Sequence, residues 1–322
     1  MVSIPGLEHL QEAQARISSA LHRTPTFSSH TLSERVGQPV LLKCENLQKT
    51  GSFKVRGALN RILELDDEAR GQGVVTISAG NHAQAVAWAA ARAGISATVV
   101  MPAKASPTKA RATAEYGAEV ILQGTILDVF DLALEIAEDR GLTFLHAFDD
   151  PFLIAGQGTV GLELLEAVPD VATVVVPVGG GGLISGVALA VANLAPAARV
   201  FGVEPHGACA MRKSLDKGEA VHLESVDTIA DGLGAPMAGE LTFEVVRRYV
   251  EDVVLVSDDE IREAMSFILA RTKLLVEPAG AAGVAALLAG KIPLANGPVV
   301  VILSGGNVDL DRLPDLLGVP RA

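Results

Sequence analysis

Between residues 74 and 204 the chain alternates short runs of β-branched residues with longer alanine- and leucine-rich stretches. The runs read "VVTI", "ATVVM", "ATVVVPV" and "RVFGVE", and a further run, "VVVIL", follows near residue 300. Apolar runs without alternating polar residues are typical of strands that are buried on both faces, as in parallel sheets. Their alternation with helical stretches predicts βαβ units, and therefore an α/β fold with doubly wound, open, parallel-type sheets.

Composition and charge exclude several classes of protein. The chain has 322 residues, 49% of them hydrophobic, which is ample for one large or two medium domains. The formal net charge is -12 without any lysine- and arginine-rich block, so we expect no nucleic-acid partner. The apolar stretches are too short to span a bilayer, and the N-terminus lacks a basic segment followed by an apolar one. Two distant cysteines, Cys44 and Cys209, disfavour a disulfide framework and a zinc site, so we expect a cytoplasmic protein with no membrane partner.

Three glycine-containing segments each follow one of these runs directly. "SAGNH" follows "VVTI", "GGGG" follows "VVVPV", and "SGGN" follows "VVVIL". In open α/β sheets, ligands bind at the carboxyl ends of the strands. The three segments therefore predict one shared ligand crevice.

The four consecutive glycines Gly179, Gly180, Gly181 and Gly182 precede a predicted helix that begins near Leu183. They let backbone N–H groups converge without Cβ atoms in the way, and a helix N-terminus favours an anion, so this glycine run predicts a phosphate site. A dinucleotide is one alternative, because Glu204 ends the next strand, where the ribose carboxylate of such a site would fall. However, no register of "GGGGLISG" matches G-x-G-x-x-G, since Ser185 replaces the third glycine. An NAD-dependent oxidoreductase therefore remains only a remote alternative.

In "NLQKTGSFKVRGALN", Lys54 stands between Phe53 and Val55 at the start of a predicted helix. Lysine is rarely buried unless it is paired or reacting, although a lone lysine can also extend along an apolar face to water. Asn81 and Ser304 each follow a strand and supply an amide and a hydroxyl. An imine-forming lysine, a phosphate site, an amide and a hydroxyl are the groups that pyridoxal 5'-phosphate needs. We therefore predict this cofactor.

Seven segments, in order along the chain, resemble the fold-type II pyridoxal-phosphate enzymes, specifically the serine/threonine dehydratase (threonine ammonia-lyase) and serine racemase group. They are "LLKCENLQKTGSFKVRGALN", "TISAGNHAQAVAWAA", "IAGQGTVGLELLE", "VVVPVGGGGLISG", "TIADG", "LLVEPAGAAGVAAL" and "VILSGGNVDL". This resemblance covers nearly the whole chain and implies the tryptophan synthase β-like fold. It further implies a large cofactor-binding domain formed by residues 1–71 and 149–322, with a small domain, residues 72–148, inserted in it.

The resemblance also implies a role for each matching residue. Lys54 would hold the cofactor as a Schiff base, Phe53 would lie beside its ring, and Asn81 would contact the ring hydroxyl. The phosphate would bind the glycine run and the start of the helix at Leu183, and Ser304 would face the pyridine nitrogen. The loop that holds the substrate carboxylate would contain Ser78, Ala79, Gly80 and His82.

The implied activity is that of a lyase in amino acid metabolism. A β-hydroxy amino acid such as L-threonine or L-serine would lose water to give an aminoacrylate, which hydrolyses to a 2-oxo acid and ammonia. Once the substrate amine has displaced it, Lys54 would be the base that removes the Cα proton. A hydroxyl at Ser304, unlike a carboxylate, does not hold the ring nitrogen protonated, which favours loss of the β-hydroxyl over a long-lived carbanion. The rival activity is racemisation, but family racemases carry a serine where this chain has Ala79, which cannot transfer a proton.

Two departures from the family pattern concern the metal and the substrate. Where a divalent metal is present, the family uses a Glu, a backbone carbonyl and an Asp; Glu204 and Ala208 match the first two, but Ala210 stands at the third position. A divalent ion would lack that carboxylate, and water or a monovalent cation could take its place. The segment 124–131, "GTILDVFD", is more apolar than expected for a serine-specific enzyme, which suggests a larger substrate such as phenylserine or a hydroxyaspartate-like amino acid.

Members of the family are usually homodimers or homotetramers, and we expect a homo-oligomer here. Closure of the small domain on the large one would complete the site and exclude water. A catalytically silent protein that binds a small ligand is a further alternative, but binding alone would not require the imine-forming amine of Lys54.

Overall fold

The computed structural model of the chain describes residues 3–125 and 128–318. These residues form ten strands in two sheets. The strands are β1 (Thr26–Ser28), β2 (Val40–Cys44), β3 (Val74–Ile77), β4 (Ala97–Met101), β5 (Glu119–Leu122), β6 (Thr143–Leu145), β7 (Thr173–Pro177), β8 (Arg199–Pro205), β9 (Asp252–Val256) and β10 (Val299–Leu303).

The described residues also form fourteen α-helices, most of which connect one strand to the next. The helices are α1 (Leu7–Ile17), α2 (His30–Val36), α3 (Lys54–Leu63), α4 (Asp67–Gln72), α5 (Asn81–Ala93), α6 (Pro107–Glu115), α7 (Val129–Arg140), α8 (Pro151–Ala167), α9 (Gly182–Leu194), α10 (Ala210–Lys217), α11 (Glu240–Tyr249), α12 (Asp258–Thr272), α13 (Pro278–Leu288) and α14 (Leu313–Leu316). Within residues 3–125 and 128–318, no helix combines the length and the apolar character needed to cross a bilayer.

The larger sheet contains six strands in the order β1, β2, β10, β7, β8, β9. Its neighbouring strands are parallel except β1 and β2, which are antiparallel. The last strand, β10, lies between β2 and β7, so that Val299 is opposite both Val40 and Thr173. The predicted α/β fold with open, parallel-type sheets is therefore confirmed.

The smaller sheet contains four parallel strands in the order β5, β4, β3, β6. All four lie between residues 74 and 145. They fall inside the range 72–148 that the sequence predicts for the small domain. The boundaries of the two domains themselves stay a prediction.

Both faces of the larger sheet are buried, as its unbroken apolar runs require. In β7, Val174 and Val176 belong to a core cluster with α8 and α9, whereas Val175 belongs to a second cluster with α12 and α13. Each of these side chains is fully buried, which stabilises the fold by roughly 1.5–3 kcal/mol per residue. The carboxyl end of the strand is thereby held rigidly, and the glycine run begins there.

A buried group of charged side chains fixes α3 to the larger sheet and to α8. The Arg56 guanidinium donates to Glu45 at 2.8 Å and to Glu163 at 2.7 Å, and Lys43 donates to Glu163 at 2.6 Å. The two cations balance the two anions, and a buried charge that lost its partner would carry a large desolvation penalty. This network therefore holds the first turn of α3, which begins at Lys54, in a single position.

Candidate active site

Lys54 is the first residue of α3, and the groups around it come from both sheets. The backbone N–H of Phe53 donates to the carbonyl oxygen of Ser304 at 3.1 Å, so the start of α3 is held against the end of β10. The Nζ atom of Lys54 donates to the carbonyl oxygen of Ala147, in the loop after β6, at 3.2 Å. The same atom lies 5.2 Å from the centroid of the Phe53 ring. The structure therefore places Phe53, Lys54 and Ser304 in one site.

The pKa of Lys54 is lowered, which favours the neutral form of its amine. Burial lowers the pKa of Lys54 from 10.5 to about 8, and the negative charge of Glu277 opposes that shift. With a pKa of about 8, roughly one lysine in ten is neutral at pH 7, against fewer than about one in a thousand for an ordinary lysine. Only the neutral amine can act as a nucleophile or as a base. Lys54 is therefore suited both to imine formation and to proton removal.

The glycine run forms a cradle that has no room for side chains. A Cβ atom on Gly180 would lie 2.3 Å from the ring of Phe148, and one on Gly181 would lie 2.8 Å from Thr242. Gly181 also has a φ of +95°, in the left-handed region that favours glycine. The hydroxyl of Thr242 donates to the carbonyl oxygen of Gly180 at 2.7 Å and fixes that peptide. The cradle is thus lined by backbone and can present its N–H groups to an anion.

Two helices begin at this site without a side-chain cap. The helix α9 begins at Gly182, followed by the buried Leu183, and its N-cap residue is Gly181; α5 begins at Asn81, and its N-cap residue is Gly80. Neither helix has a side-chain hydrogen bond at its N-cap, whereas Asp150 caps α8 by accepting from Leu153 at 2.9 Å. Free N–H groups at a helix N-terminus favour an anion. The two N-termini fit a phosphate at α9 and a carboxylate at α5.

Asn81 and Ser304 are the two polar side chains that the sequence predicts to meet a pyridine ring. The Nδ2 atom of Asn81 donates to Glu277 at 2.6 Å, and its Oδ1 atom accepts from Asn307 at 2.8 Å. Ser304 is only 4% exposed, and its hydroxyl donates to none of the residues described in the structure. Together with Lys54 and the glycine cradle, these groups fit pyridoxal phosphate.

The loop that precedes α5 contains Ser78, Ala79 and Gly80. The Ser78 hydroxyl accepts the N–H of Gly80 at 3.1 Å, which shapes the turn into the helix. Ala79 contributes only a methyl group and has no atom that can donate or accept a proton.

His82 follows this loop as a neutral and fully buried histidine. The hydroxyl of Thr76 donates to the carbonyl oxygen of Leu145 at 2.7 Å, so it can only accept at 3.0 Å from Nε2 of His82. Nε2 therefore carries the proton, and Nδ1 is a buried acceptor with no partner among the described residues. Burial, reinforced by the charge of Lys54, lowers the pKa of His82 well below 6.5. The backbone at the start of α5, and not a histidine cation, is thus the group available to a carboxylate.

Several residues of the site have no role assigned from the sequence. Glu277 and Asn307 contact Asn81, and His146 has its ring centroid 4.6 Å from that of Phe148, which covers the cradle. The sequence could indicate these residues only by their position, because each lies within a few residues of the end of a strand or the start of a helix. Position alone does not reveal which distant side chain each one meets.

The segment 124–131 is only partly described, because Ile126 and Leu127 lie outside the described residues. Val129 is buried in a small cluster with Val75 and Val100 of the smaller sheet. Packing therefore explains the apolar side chain at Val129, whereas Phe130 is 41% exposed. The prediction of a larger substrate stays a prediction.

The predicted metal residues surround the start of α10. Glu204 is fully buried at the end of β8, and its two carboxylate oxygens accept the N–H groups of Met211 at 2.9 Å and Arg212 at 2.8 Å. Burial raises the pKa of Glu204 to about 8, against the effect of these two donors. Within the described residues no group of three or more His, Cys, Asp or Glu side chains could hold a metal ion, and Ala210 begins the helix. A cation at Glu204 and Ala208 stays a prediction.

Comparisons with known proteins agree with this geometry. A family model described as pyridoxal-phosphate dependent enzyme matches residues 17–305. The L-threonine ammonia-lyase of Thermotoga maritima is 48% identical over 312 residues, which cover 97% of this chain and 78% of that protein. The catabolic L-threonine dehydratase of Escherichia coli is 44% identical over 97% of this chain and 96% of that protein. The solved structure of maize serine racemase has a TM-score of 0.93 and 43% identity, and the match covers 97% of each chain.

The family model spans both sheets and the site from Phe53 to Ser304, and the match to the Thermotoga maritima enzyme covers 97% of the chain. The chain therefore belongs to the pyridoxal-phosphate dependent enzyme family.

Proposed function

We propose that this chain is a pyridoxal-phosphate-dependent ammonia-lyase of the threonine/serine dehydratase type. It converts L-threonine or L-serine to a 2-oxo acid and ammonia. The observation that carries the proposal is Lys54, a half-buried lysine whose pKa is lowered to about 8. Its amine bonds to Ala147, which precedes Phe148, the residue that covers the glycine cradle at the uncapped start of α9. Relatives that are 44–48% identical and named threonine ammonia-lyase or dehydratase support the same reaction.

Each residue of the site would have its own role in binding or in proton transfer. When bound, pyridoxal phosphate draws electrons from the Cα of an amino acid and so makes its hydrogen acidic. Lys54 would form the covalent attachment to the cofactor and, once the substrate amine had displaced it, would take the Cα proton at Nζ. The glycine run and Leu183 would hold the phosphate, with Phe53 beside the ring. The backbone at Gly80 and the start of α5 would bind the substrate carboxylate.

Ser304 would influence which bond breaks. Its neutral hydroxyl, facing the ring nitrogen, would not keep that nitrogen protonated as a carboxylate would. Loss of the β-hydroxyl would then be favoured over return of the proton to Cα, and the hydroxyl would leave as water with the proton that Lys54 had taken. Asn81 would orient the ring by donating to its oxygen.

Racemisation is the second candidate, because the fold is very similar to that of maize serine racemase. Inversion needs a proton donor on the face opposite Lys54. Ala79 offers none in the loop before α5, so we infer that elimination predominates. A larger substrate, such as phenylserine, is a variant of the same proposal that rests on the apolar segment 124–131.

The cellular setting and the assembly complete the proposal. We infer a cytoplasmic homodimer or homotetramer with an amino acid as its small-molecule substrate. A monovalent or divalent cation would bind near Glu204 and the carbonyl of Ala208. The small domain, residues 72–148, would close on the large one and exclude water from the reaction.

The test uses the purified protein loaded with pyridoxal phosphate. Its visible spectrum is recorded, and 2-oxo acid formation from L-threonine, L-serine, L-threo-phenylserine and L-threo-3-hydroxyaspartate is compared as kcat/KM. We expect an imine absorption band that Lys54→Ala abolishes, and the highest kcat/KM for L-threonine or L-serine. A protein that stays colourless with added cofactor would overturn the cofactor assignment and revive the nicotinamide alternative. A higher kcat/KM for phenylserine than for L-threonine and L-serine would instead show that the enzyme prefers larger β-hydroxy amino acids.

A further inference from the structure

Asn81, at the start of α5, is held from two sides by the side chains of Glu277 and Asn307. Its Nδ2 atom donates to Oε1 of Glu277 at 2.6 Å, and its Oδ1 atom accepts from Nδ2 of Asn307 at 2.8 Å. Glu277 directly precedes α13, and Asn307 lies in the loop after β10. The two bonds therefore hold the Asn81 side chain, at the start of α5, against the start of α13 and the loop after β10.

The carbonyl oxygen of Thr50 can only accept a hydrogen bond, and this determines which atom donates in each of the two bonds to Asn81. The Nδ2 atom of Asn307 also donates to the carbonyl oxygen of Thr50 at 2.7 Å. A carbonyl has no hydrogen to give, so this end of the Asn307 amide must be its NH2 group. The atom of Asn81 that faces Asn307 is consequently the acceptor Oδ1, and the atom that faces Glu277 is the donor Nδ2.

Glu277 is held in the place where it can receive this bond. It is 3% exposed, and its own backbone N–H donates to the carbonyl oxygen of Gly305 at 3.1 Å. A Cβ atom on Gly305 would lie 2.3 Å from Oε1 of Glu277, so the absence of a side chain there makes room for the carboxylate. The carboxylate thus lies between Asn81 and the turn that follows Ser304.

One hydrogen of the Asn81 amide remains for a ligand. The NH2 group carries two hydrogens, and Glu277 receives only one of them. The Nδ2 atom lies 3.1 Å from the place of a Cβ atom on Gly305, next to Ser304. If the amide were turned over, the ligand would meet an oxygen that can accept but cannot donate.

We propose that Glu277 and Asn307 are positioning residues that lock the Asn81 amide as a hydrogen-bond donor to the ring oxygen of bound pyridoxal phosphate. This inference rests on the proposed function, which supplies the cofactor. A fixed donor favours the ionised form of that oxygen. The hydrogen bonds of Glu277 and Asn307 to Asn81 therefore affect the absorption spectrum of the bound cofactor, its affinity and the rate of turnover.

The experiment compares the absorption spectrum and the cofactor affinity of the full-length protein and its variants. Glu277→Ala removes the acceptor, whereas Glu277→Gln keeps an amide oxygen that can receive the same bond. Asn307→Asp removes the donor to Thr50 and Asn81, and Asn81→Ala removes the amide itself. Ser106→Ala is the matched control, because the Ser106 hydroxyl bonds to Asp309 at 3.2 Å and so joins the residue before α6 to the segment after β10 without touching Asn81.

We expect Glu277→Ala and Asn307→Asp to shift the absorption band in the same direction as Asn81→Ala. Each should weaken cofactor binding roughly threefold to tenfold, the effect of one hydrogen bond. Glu277→Gln should restore the wild-type band, and Ser106→Ala should leave it unchanged. Because Glu277 acts through Asn81, the double variant Asn81→Ala/Glu277→Ala should match Asn81→Ala alone.

Different outcomes overturn different statements. A wild-type band and affinity in Glu277→Ala, or an added effect of Glu277→Ala on top of Asn81→Ala, would overturn the positioning role and leave the cofactor assignment intact. A wild-type protein that takes up no pyridoxal phosphate would overturn the proposed function together with this inference. If Glu277→Ala does not fold, Asn307→Asp decides the question from the other side of the amide: a wild-type band and affinity in that variant would overturn the positioning role.

Discussion

The Nζ atom of Lys54 donates a hydrogen bond of 3.2 Å to the carbonyl oxygen of Ala147, and so joins the start of α3 to the loop after β6. A single neutral carbonyl is weak compensation for an ammonium group that has left water. Burial therefore dominates and lowers the pKa of Lys54 to about 8. A carbonyl can accept from a neutral amine and, more strongly, from an ammonium, so the side chain can keep its place in either protonation state.

The rate at which the cofactor-free protein takes up pyridoxal phosphate should follow the neutral fraction of Lys54. Because the pKa is lowered to about 8, the rate should rise with pH and level off above a midpoint near 8, instead of rising up to 10.5. Stopped-flow absorbance of the imine band between about pH 6.5 and 9.5 measures this profile. A rate that still rises steeply at the upper end would contradict the shifted pKa, and Lys54→Ala is the blank.

A methyl group on Gly180 should abolish the phosphate cradle. In Gly180→Ala the new Cβ would lie 2.3 Å from the ring of Phe148, so the ring or the cradle must move. Such overpacking costs about 1–3 kcal/mol, and the displaced N–H groups should weaken cofactor binding at least roughly tenfold. Urea denaturation and a fluorescence titration with pyridoxal phosphate measure the two effects.

Gly71→Ala, in α4, is the matched control for Gly180→Ala. No atom lies within 4 Å of the place of its Cβ, and alanine is the better helix former. It should leave cofactor affinity unchanged and stability equal or higher. Equal affinity in Gly180→Ala and wild type would mean that the cradle does not hold the phosphate.

The buried His82 should make the protein sensitive to acid. Its pKa lies well below 6.5 in the folded state, so the unfolded chain binds more protons than the folded one once the pH falls below 6.5. The free energy of unfolding should therefore decrease with falling pH, by up to roughly 1.4 kcal/mol per unit from this residue. In His82→Gln, whose amide N–H can still donate to Thr76, that slope should be smaller.

Urea denaturation at several pH values between about 5 and 7.5 checks this prediction. His30→Gln, at a histidine of α2 whose side chain is 87% exposed, is the matched control. Identical slopes for wild type and His82→Gln would show that His82 is not the residue responsible. The half-buried His146, whose pKa desolvation also lowers, would then be the next residue to replace.

The sequence predicts the parts of this site that are encoded locally. The valine runs set β7 and β10, the glycine run lies at the end of β7, and Lys54 opens α3. In contrast, Glu277 meets Asn81 across 196 residues, and the hydrogen on Nε2 of His82 depends on a bond between Thr76 and Leu145. Such partners are fixed by how the elements pack, and no spacing in the chain reveals them.

Arg56 should be one of the most important single residues for stability. Arg56→Met would leave Glu45 buried without its guanidinium and Glu163 with Lys43 alone. Breaking a buried pair in this way costs about 3–5 kcal/mol. The free energy of unfolding, measured in urea, should fall by that amount. Arg56→Lys should lower it less, because lysine keeps the positive charge but lacks the planar guanidinium that donates to both glutamates.

The control for Arg56 is Arg247→Met. Arg247 pairs with Glu244 on α11 at 2.7 Å, but its side chain is 57% exposed, and exposed pairs contribute little. A small effect at both positions would mean that water reaches the buried network. The cavity beside it, lined by Arg56, Thr159 and Glu163, would be the entry.

Ala79 should decide between elimination and racemisation. Ala79→Ser places a hydroxyl in the loop before α5, and a proton donor opposite the base typically contributes about 10²–10⁴ to the rate. We therefore expect the ratio of D-serine to pyruvate formed from L-serine to rise at least roughly tenfold. Chiral chromatography and a pyruvate assay on the same reaction measure the D-serine and the pyruvate.

The control is Ala79→Val, which adds bulk without a proton donor and should lower both products together. If Ala79→Val raises the ratio as Ala79→Ser does, the change comes from the shape of the loop, and the absence of a proton donor at Ala79 does not explain the preference for elimination.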